Sequence, residues 1–158
     1  MAAARDNNQD VITTLLKAGA DINARDANGL TVLMYAAETN PNPVVITTLL
    51  KAGADIKARD SSGMTALLHA AWMNSNPAVV TALLKAGADI RARNARGETA
   101  LILAAQKNTN PDVIVMLLRA GADAKIKNND GKTAFDCAKD NDKLNGTDAH
   151  WKLNEALY

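Results

Sequence analysis

The octet Leu-Leu-Lys-Ala-Gly-Ala-Asp-Ile stands at residues 15–22, 49–56 and 83–90, and returns as Leu-Leu-Arg-Ala-Gly-Ala-Asp-Ala at 117–124. Each step is 34 residues. The same interval relates Gly29, Gly63, Gly97 and Gly131. It also relates Thr31, Thr65, Thr99 and Thr133, and Ala36, Ala70, Ala104 and Ala138. Residues 26–59 and 60–93 share 21 identities in 34 aligned positions. A period of this length constrains the fold strongly. Each repeat is one supersecondary unit, and its neighbours must cover the apolar surface that it cannot bury alone.

One unit, 26–59, can be read in order. Asp-Ala-Asn-Gly is a turn signal, with Gly29 free to take a positive φ. Thr31 is placed to cap a helix over Val-Leu-Met-Tyr-Ala-Ala-Glu-Thr, with Leu33, Ala36 and Ala37 on one face. Asn-Pro-Asn-Pro ends that helix. Asn42 then caps a second one and Pro43 occupies its first turn, where no N–H is needed. Val45, Ile46, Leu49 and Leu50 form its apolar stripe, and Gly53 stops it. Ala-Asp-Ile-Lys-Ala-Arg leads extended into the next turn. Helices this short fall below the roughly 12–15 residues at which an isolated helix becomes marginally stable in water. Stacking is therefore obligatory.

The turn, the two short helices and the Gly-Ala-Asp segment together resemble the ankyrin repeat. The resemblance recurs in every unit and covers nearly the whole chain. It implies an all-α solenoid of stacked helix-turn-helix units with short hairpin-like turn fingers. The tetratricopeptide alternative lacks its large–small aromatic signature here. Two departures stand out. The loop between helices carries one residue more than the usual repeat. The first helix opens with Thr-Val-Leu-Met, Thr-Ala-Leu-Leu, Thr-Ala-Leu-Ile and Thr-Ala-Phe-Asp, where the family commonly has Thr-Pro-Leu-His. Apolar packing by Met34, Leu68, Ile102 and Asp136 is expected to replace that histidine's bond to the turn. The chain reads as a single domain, 1–158. It comprises a partial first repeat over 1–25, full repeats over 26–59, 60–93 and 94–127, and a capping repeat over 128–158. Lys152, Asn154 and Glu155 are expected to give the last helix a polar outer side.

Composition narrows the function. Eighteen basic residues face seventeen acidic ones. A chain so nearly neutral has no general attraction for nucleic acid or anionic lipid. No apolar run approaches the roughly 20 residues that span a bilayer. The single cysteine, Cys137, and an opening stretch without the apolar core of a secretory signal lead us to expect the cytoplasm or another reducing compartment. Lys57, Arg59, Arg91, Arg93, Arg96, Lys125, Lys127 and Lys132 gather near the turns. Asp55, Asp60, Asp89, Asp123 and Asp130 interleave with them, which favours local salt bridges and solvation over an acidic partner, nucleic acid least of all.

No catalytic or metal-binding set emerges. Cys137 and His69 occupy equivalent positions two units apart, too far to meet, and both histidines read as surface residues. Asp-Asn-Asp-Lys-Leu-Asn-Gly-Thr-Asp, 140–148, resembles a calcium loop only faintly. Leu144 falls where an oxygen ligand belongs. Asn145–Thr147 is a glycosylation acceptor only in a secreted chain. No cofactor and no metal are expected, and the chain is not expected to be an enzyme.

What remains is binding. In a repeat framework the informative residues are those that differ between units. The resemblance places partner contacts on the turn tips and the exposed side of each first helix, which form a rigid concave groove. Carried over by position, the groove residues are Leu30, Tyr35, Met64, His69, Trp72, Met73, Arg96, Glu98, Leu103 and Lys107. Trp72 reads either as an interface anchor or as framework. The expected function is a non-enzymatic, monomeric protein–protein interaction module for an unidentified protein partner, without nucleic acid or membrane. The alternative is an engineered or consensus-derived scaffold with no natural partner.

Overall fold

The structure is a computed structural model and describes Thr14 and residues 18–158. The expectation that Leu15 and Leu16 are covered by the second unit lies outside the described residues, as does most of the partial first repeat.

Eight helices follow among the described residues. They are α1 (Val32–Thr39), α2 (Pro43–Lys51), α3 (Ala66–Met73), α4 (Pro77–Lys85), α5 (Ala100–Lys107), α6 (Pro111–Arg119), α7 (Ala134–Ala138) and α8 (Asp148–Glu155). The pairs α1/α2, α3/α4, α5/α6 and α7/α8 pack as neighbours. First helices pack in the order α1, α3, α5, α7, and second helices in the order α2, α4, α6, α8. The result is two layers of helices advancing together, an all-α solenoid.

The starts and stops follow the sequence closely. Thr31, Thr65, Thr99 and Thr133 each accept a hydrogen bond at Oγ1 from the backbone three residues on, at 3.4, 3.4, 3.4 and 3.2 Å. Asn42, Asn76 and Asn110 cap the second helices, with proline in the first turn of each. The second helices close alike: Ala54 donates to Leu49 and Gly53 to Leu50, both at 3.0 Å. Gly53 holds φ at 93°, a conformation that favours glycine. After it the chain turns at Ile56 and Lys57, so the exit segment is not extended throughout.

Between the layers lies a continuous core. Ala36, Ala37, Ala70, Ala71, Ala104 and Ala105 are wholly buried in the first-helix seam, where a methyl group lets adjacent helices approach closely. Leu49, Leu83 and Leu117 fill the second layer, flanked by Val45, Ile46, Val79, Val80, Val113 and Ile114. Each such leucine contributes about 1.5–3 kcal/mol by burial.

Polar side chains join unit to unit. Asn74 Nδ2 donates to Ala37 O at 2.9 Å and Asn40 O at 2.8 Å. Asn108 repeats this towards Ala71 (2.8 Å) and Asn74 (3.0 Å), and Asn141 towards Ala105 (3.1 Å) and Asn108 (3.2 Å). The Oδ1 of Asn74 and Asn108 accepts from the backbone two residues on. Each amide thus satisfies carbonyls left open at the end of the preceding unit's first helix.

The basic residues near the turns are exposed, as expected of solvated side chains, but among them only Arg96 pairs with a carboxylate in the described residues. Arg59 Nη1 donates to Gly63 O and Arg93 O, both at 2.8 Å. Arg25 and Arg93 make the equivalent pairs of bonds to backbone carbonyls. The aspartates are occupied differently. Asp60 Oδ1 accepts from Ser62 N and Met64 N, while Asp55, Asp89 and Asp123 cap turns in the same way. Turn geometry claims the carboxylates first, because they accept from backbone N–H groups only two to four residues away. The turn fingers also touch directly: Ser61 N donates to Asn28 O, Ala95 N to Ser62 O and Asn129 N to Arg96 O, each at 3.0 Å. At this approach a Cβ on Gly63 would lie 3.2 Å from Ala95 N, so finger stacking adds a second requirement for glycine.

Two further expectations change. Asp136 does not pack apolarly. Its Oδ2 accepts from Thr133 N at 3.1 Å and Thr133 Oγ1 at 2.8 Å, closing a reciprocal cap, and the Met34 sulfur meets Thr31 N at 3.5 Å. The outer side of α8 is not uniformly polar, since Trp151 is 60% exposed beside His150.

Candidate functional site

The first helices α3 and α5 and the turn fingers before them enclose a slot of about 460 Å³. Met64, His69, Trp72, Arg96, Leu103 and Lys107, all singled out from sequence variation, line it together. Asp60, Ser61, Ser62, Asn94, Ala95 and Gln106 complete the lining. Repetition of the fold aligns these positions: 69 and 103 hold the same place in successive helices, as do 72 and 106. The finger tips and the first helices meet the same space.

The remaining four expected residues lie elsewhere. Leu30 and Tyr35 belong to the preceding unit, where Tyr35 Oη donates to Asp26 Oδ2 at 2.6 Å. This bond is the chief reason the Asp26 carboxyl titrates below its ordinary range. Met73 is 53% exposed outside the slot. Glu98 is 3% exposed, behind the lining, and is held by Asn94 and Gln106. Met64 and Leu103 are buried too, so they form floor rather than open surface.

His69 is the residue whose surroundings the sequence conceals most. It was expected at the surface, yet it is 4% exposed. Its Nε2 lies 3.0 Å from Asp60 Oδ2, and its Nδ1 lies 3.0 Å from Glu38 Oε2 on the preceding unit. Burial disfavours the protonated ring, but the Glu38 and Asp60 carboxylates outweigh it, so the pKa rises above the ordinary value. When protonated, the imidazole between these two carboxylates ties one unit to the next. At the equivalent position Tyr35 bonds one carboxylate, and Leu103 has none to bond.

The arrangement offers no assembled reaction centre among the described residues. No group of three or more His, Cys, Asp or Glu side chains is placed to hold a metal ion there. Cys137 is buried, and burial raises its thiol pKa despite Gln106 Nε2 at 3.6 Å. That is the reverse of an activated thiolate. His150 packs between the rings of Phe135 and Trp151. No described helix is long and apolar enough to cross a membrane.

Six lining residues stand outside the expected ten, among them Asp60 and Asn94. These two hold equivalent finger positions and shape the slot from its floor. Their turn role was legible; their side chains' second partners, His69 and Glu98, lie nine and four residues further along the chain.

Comparison with known proteins agrees with the stacked helix pairs. The family model described as "Ankyrin repeats (3 copies)" matches residues 1–94 and again residues 68–148. A comparison with curated proteins found no match.

Proposed function

The chain belongs to the ankyrin repeat family, and from that premise we propose that it is a non-enzymatic protein-binding module whose groove is centred on the slot between α3 and α5. One observation carries the reading. The framework residues repeat from unit to unit and are consumed by packing and by the Asn and Arg bonds. Six of the ten residues chosen because they vary line one depression, where Trp72, Arg96 and Lys107 keep accessible surface beside buried Met64, His69 and Leu103. A half-buried Trp72 at its edge supplies the kind of anchor that dominates interface energies. The helices and fingers around it are already ordered, so binding entails little loss of conformational freedom. Monomeric action in a reducing compartment belongs to the same proposal, and the lone buried thiol of Cys137 suits it.

Site-specific photo-cross-linking tests it. A photoreactive residue is placed at Met73, beside the slot, or at Ala78, on the exposed side of α4, and the chain is expressed in its source cells. A saturable protein adduct from position 73, absent from position 78, is expected. Equal adducts from both, or none from position 73, would reject the groove and leave the scaffold without a partner.

A further inference from the structure

We propose that the slot takes a polypeptide segment that seats an apolar side chain on Met64, Trp72 and Leu103 and sets Asp or Glu side chains against Arg96 and Lys107. This rests on the protein-binding reading above and adds the chemistry of the partner.

The charges around the slot are unevenly satisfied. Its own carboxylates are already occupied. Asp60 accepts from two backbone N–H groups through Oδ1 and faces His69 Nε2 through Oδ2. Glu98 accepts from Asn94 Nδ2 at 2.7 Å and Gln106 Nε2 at 3.1 Å, and is buried. The cations are occupied less fully. The Arg96 side chain is 80% exposed, and only its Nε approaches a carboxylate, Glu98 at 3.6 Å. Its terminal amino groups meet no acceptor among the described residues, and neither does Lys107 Nζ. Arg25, Arg59 and Arg93 each staple two backbone carbonyls, whereas Arg96, like the exposed Arg91 and Arg119, makes no such bond, and of these three only Arg96 lines the slot. Arg96 is therefore distinguished from the arginines that serve the framework.

Arg96 and Lys107 line the same slot as Met64, Trp72 and Leu103. A carboxylate brought there forms charge-assisted hydrogen bonds with the Arg96 fork, and the apolar side chain beside it excludes water from them. The overall charge balance disfavours a polyanion such as nucleic acid, which requires many phosphate contacts over a broad surface.

Random peptides displayed on phage, selected on the full chain and counter-selected on Trp72→Ala, provide the probe. Slot binders enriched in Asp or Glu beside an aliphatic or aromatic residue are expected. The double variant Arg96→Gln/Lys107→Gln, altered at exposed positions, is expected to bind those peptides about tenfold more weakly. Raised salt should weaken binding to the parent chain similarly. Slot peptides without acidic enrichment, or undiminished binding to the double variant, overturn the acidic chemistry while leaving protein binding intact. Recovery of no slot peptide also overturns it, and the cross-linking experiment then decides separately whether the groove itself fails. Displacement of the peptides by a single-stranded oligonucleotide would replace the acidic segment with nucleic acid and overturn the proposal.

Discussion

Asn74 Nδ2 stands 2.8 Å from the carbonyl oxygen of Asn40, exactly one repeat earlier in the chain, and 2.9 Å from that of Ala37. The same bond recurs between Asn108 and Asn74. Each amide therefore closes the helix of the unit before it, and removing one leaves buried carbonyls unsatisfied. Asn74→Ala is expected to cost about 2–4 kcal/mol, since each orphaned buried group costs roughly 1–3 kcal/mol. Urea denaturation measures this. A loss below about 1 kcal/mol would show that the ladder contributes little.

Arg59 bonds to neutral carbonyls, which distinguishes it from a surface ion pair. Arg59→Met is expected to cost about 0.5–1.5 kcal/mol. Salt screens charge pairs but has little hold on this bond, so the loss should be the same at low and high ionic strength. A loss that vanishes in salt would mean that Arg59 acts through a carboxylate.

His69 should make stability depend on pH. A group whose folded pKa lies above its unfolded value binds its proton more tightly when folded. The stabilisation is complete below the ordinary value of 6.5 and is lost as pH rises through the folded value. The denaturation midpoint of the parent chain is therefore expected to fall across that window, and His69→Gln to flatten the fall. A midpoint that rises over this range, or an unchanged slope in the variant, would contradict the Glu38–His69–Asp60 bridge.

Asp136 acts at the acid end with the opposite sign. Hydrogen bonds from Thr133, then Lys139 beside it, lower its carboxyl pKa from 3.8 to about 2. The stability it contributes is present above the unfolded value and is lost as pH falls through about 2. Asp136→Asn should remove part of the acid transition, read by circular dichroism during acid titration. An identical acid limb in the variant would contradict the cap.

Trp72 packs against the core while lining the slot, so it serves both. Trp72→Ala is expected to cost about 1–2 kcal/mol in folding, below the roughly 3–5 kcal/mol of a fully buried aromatic. Partner affinity should fall by a further 2 kcal/mol or so. Calorimetry on the free variant and on its complex separates the two; a folding loss above 3 kcal/mol with unchanged affinity would make Trp72 framework alone.

The fold was largely legible because its signals are local. Thr31 and Asn42 cap helices that begin beside them, and Gly53 stops one beside it. The Asn ladder was not, although Asn40, Asn74 and Asn108 obey the period. Asparagine in an Asn-Pro loop already has a sufficient local meaning, and nothing local shows that its amide reaches back a whole unit. His69 was misplaced for a related reason. Its two carboxylates come from different units, and only stacking brings Glu38 to it. Variation against a constant framework picked six positions that line one slot, although Met64, His69 and Leu103 among them are buried. That argument selects positions without distinguishing floor from rim, so buried Met64, Leu103 and Glu98 were grouped with exposed Arg96 and Lys107.

The most direct test of the central claim is hydrogen–deuterium exchange on the chain alone and bound to the protein captured from position 73. The account predicts added protection over residues 61–73 and 95–107, the walls of the slot, with α2, α4 and α6 unchanged. Protection confined to those second helices, with the slot exchanging as in the free chain, would contradict it.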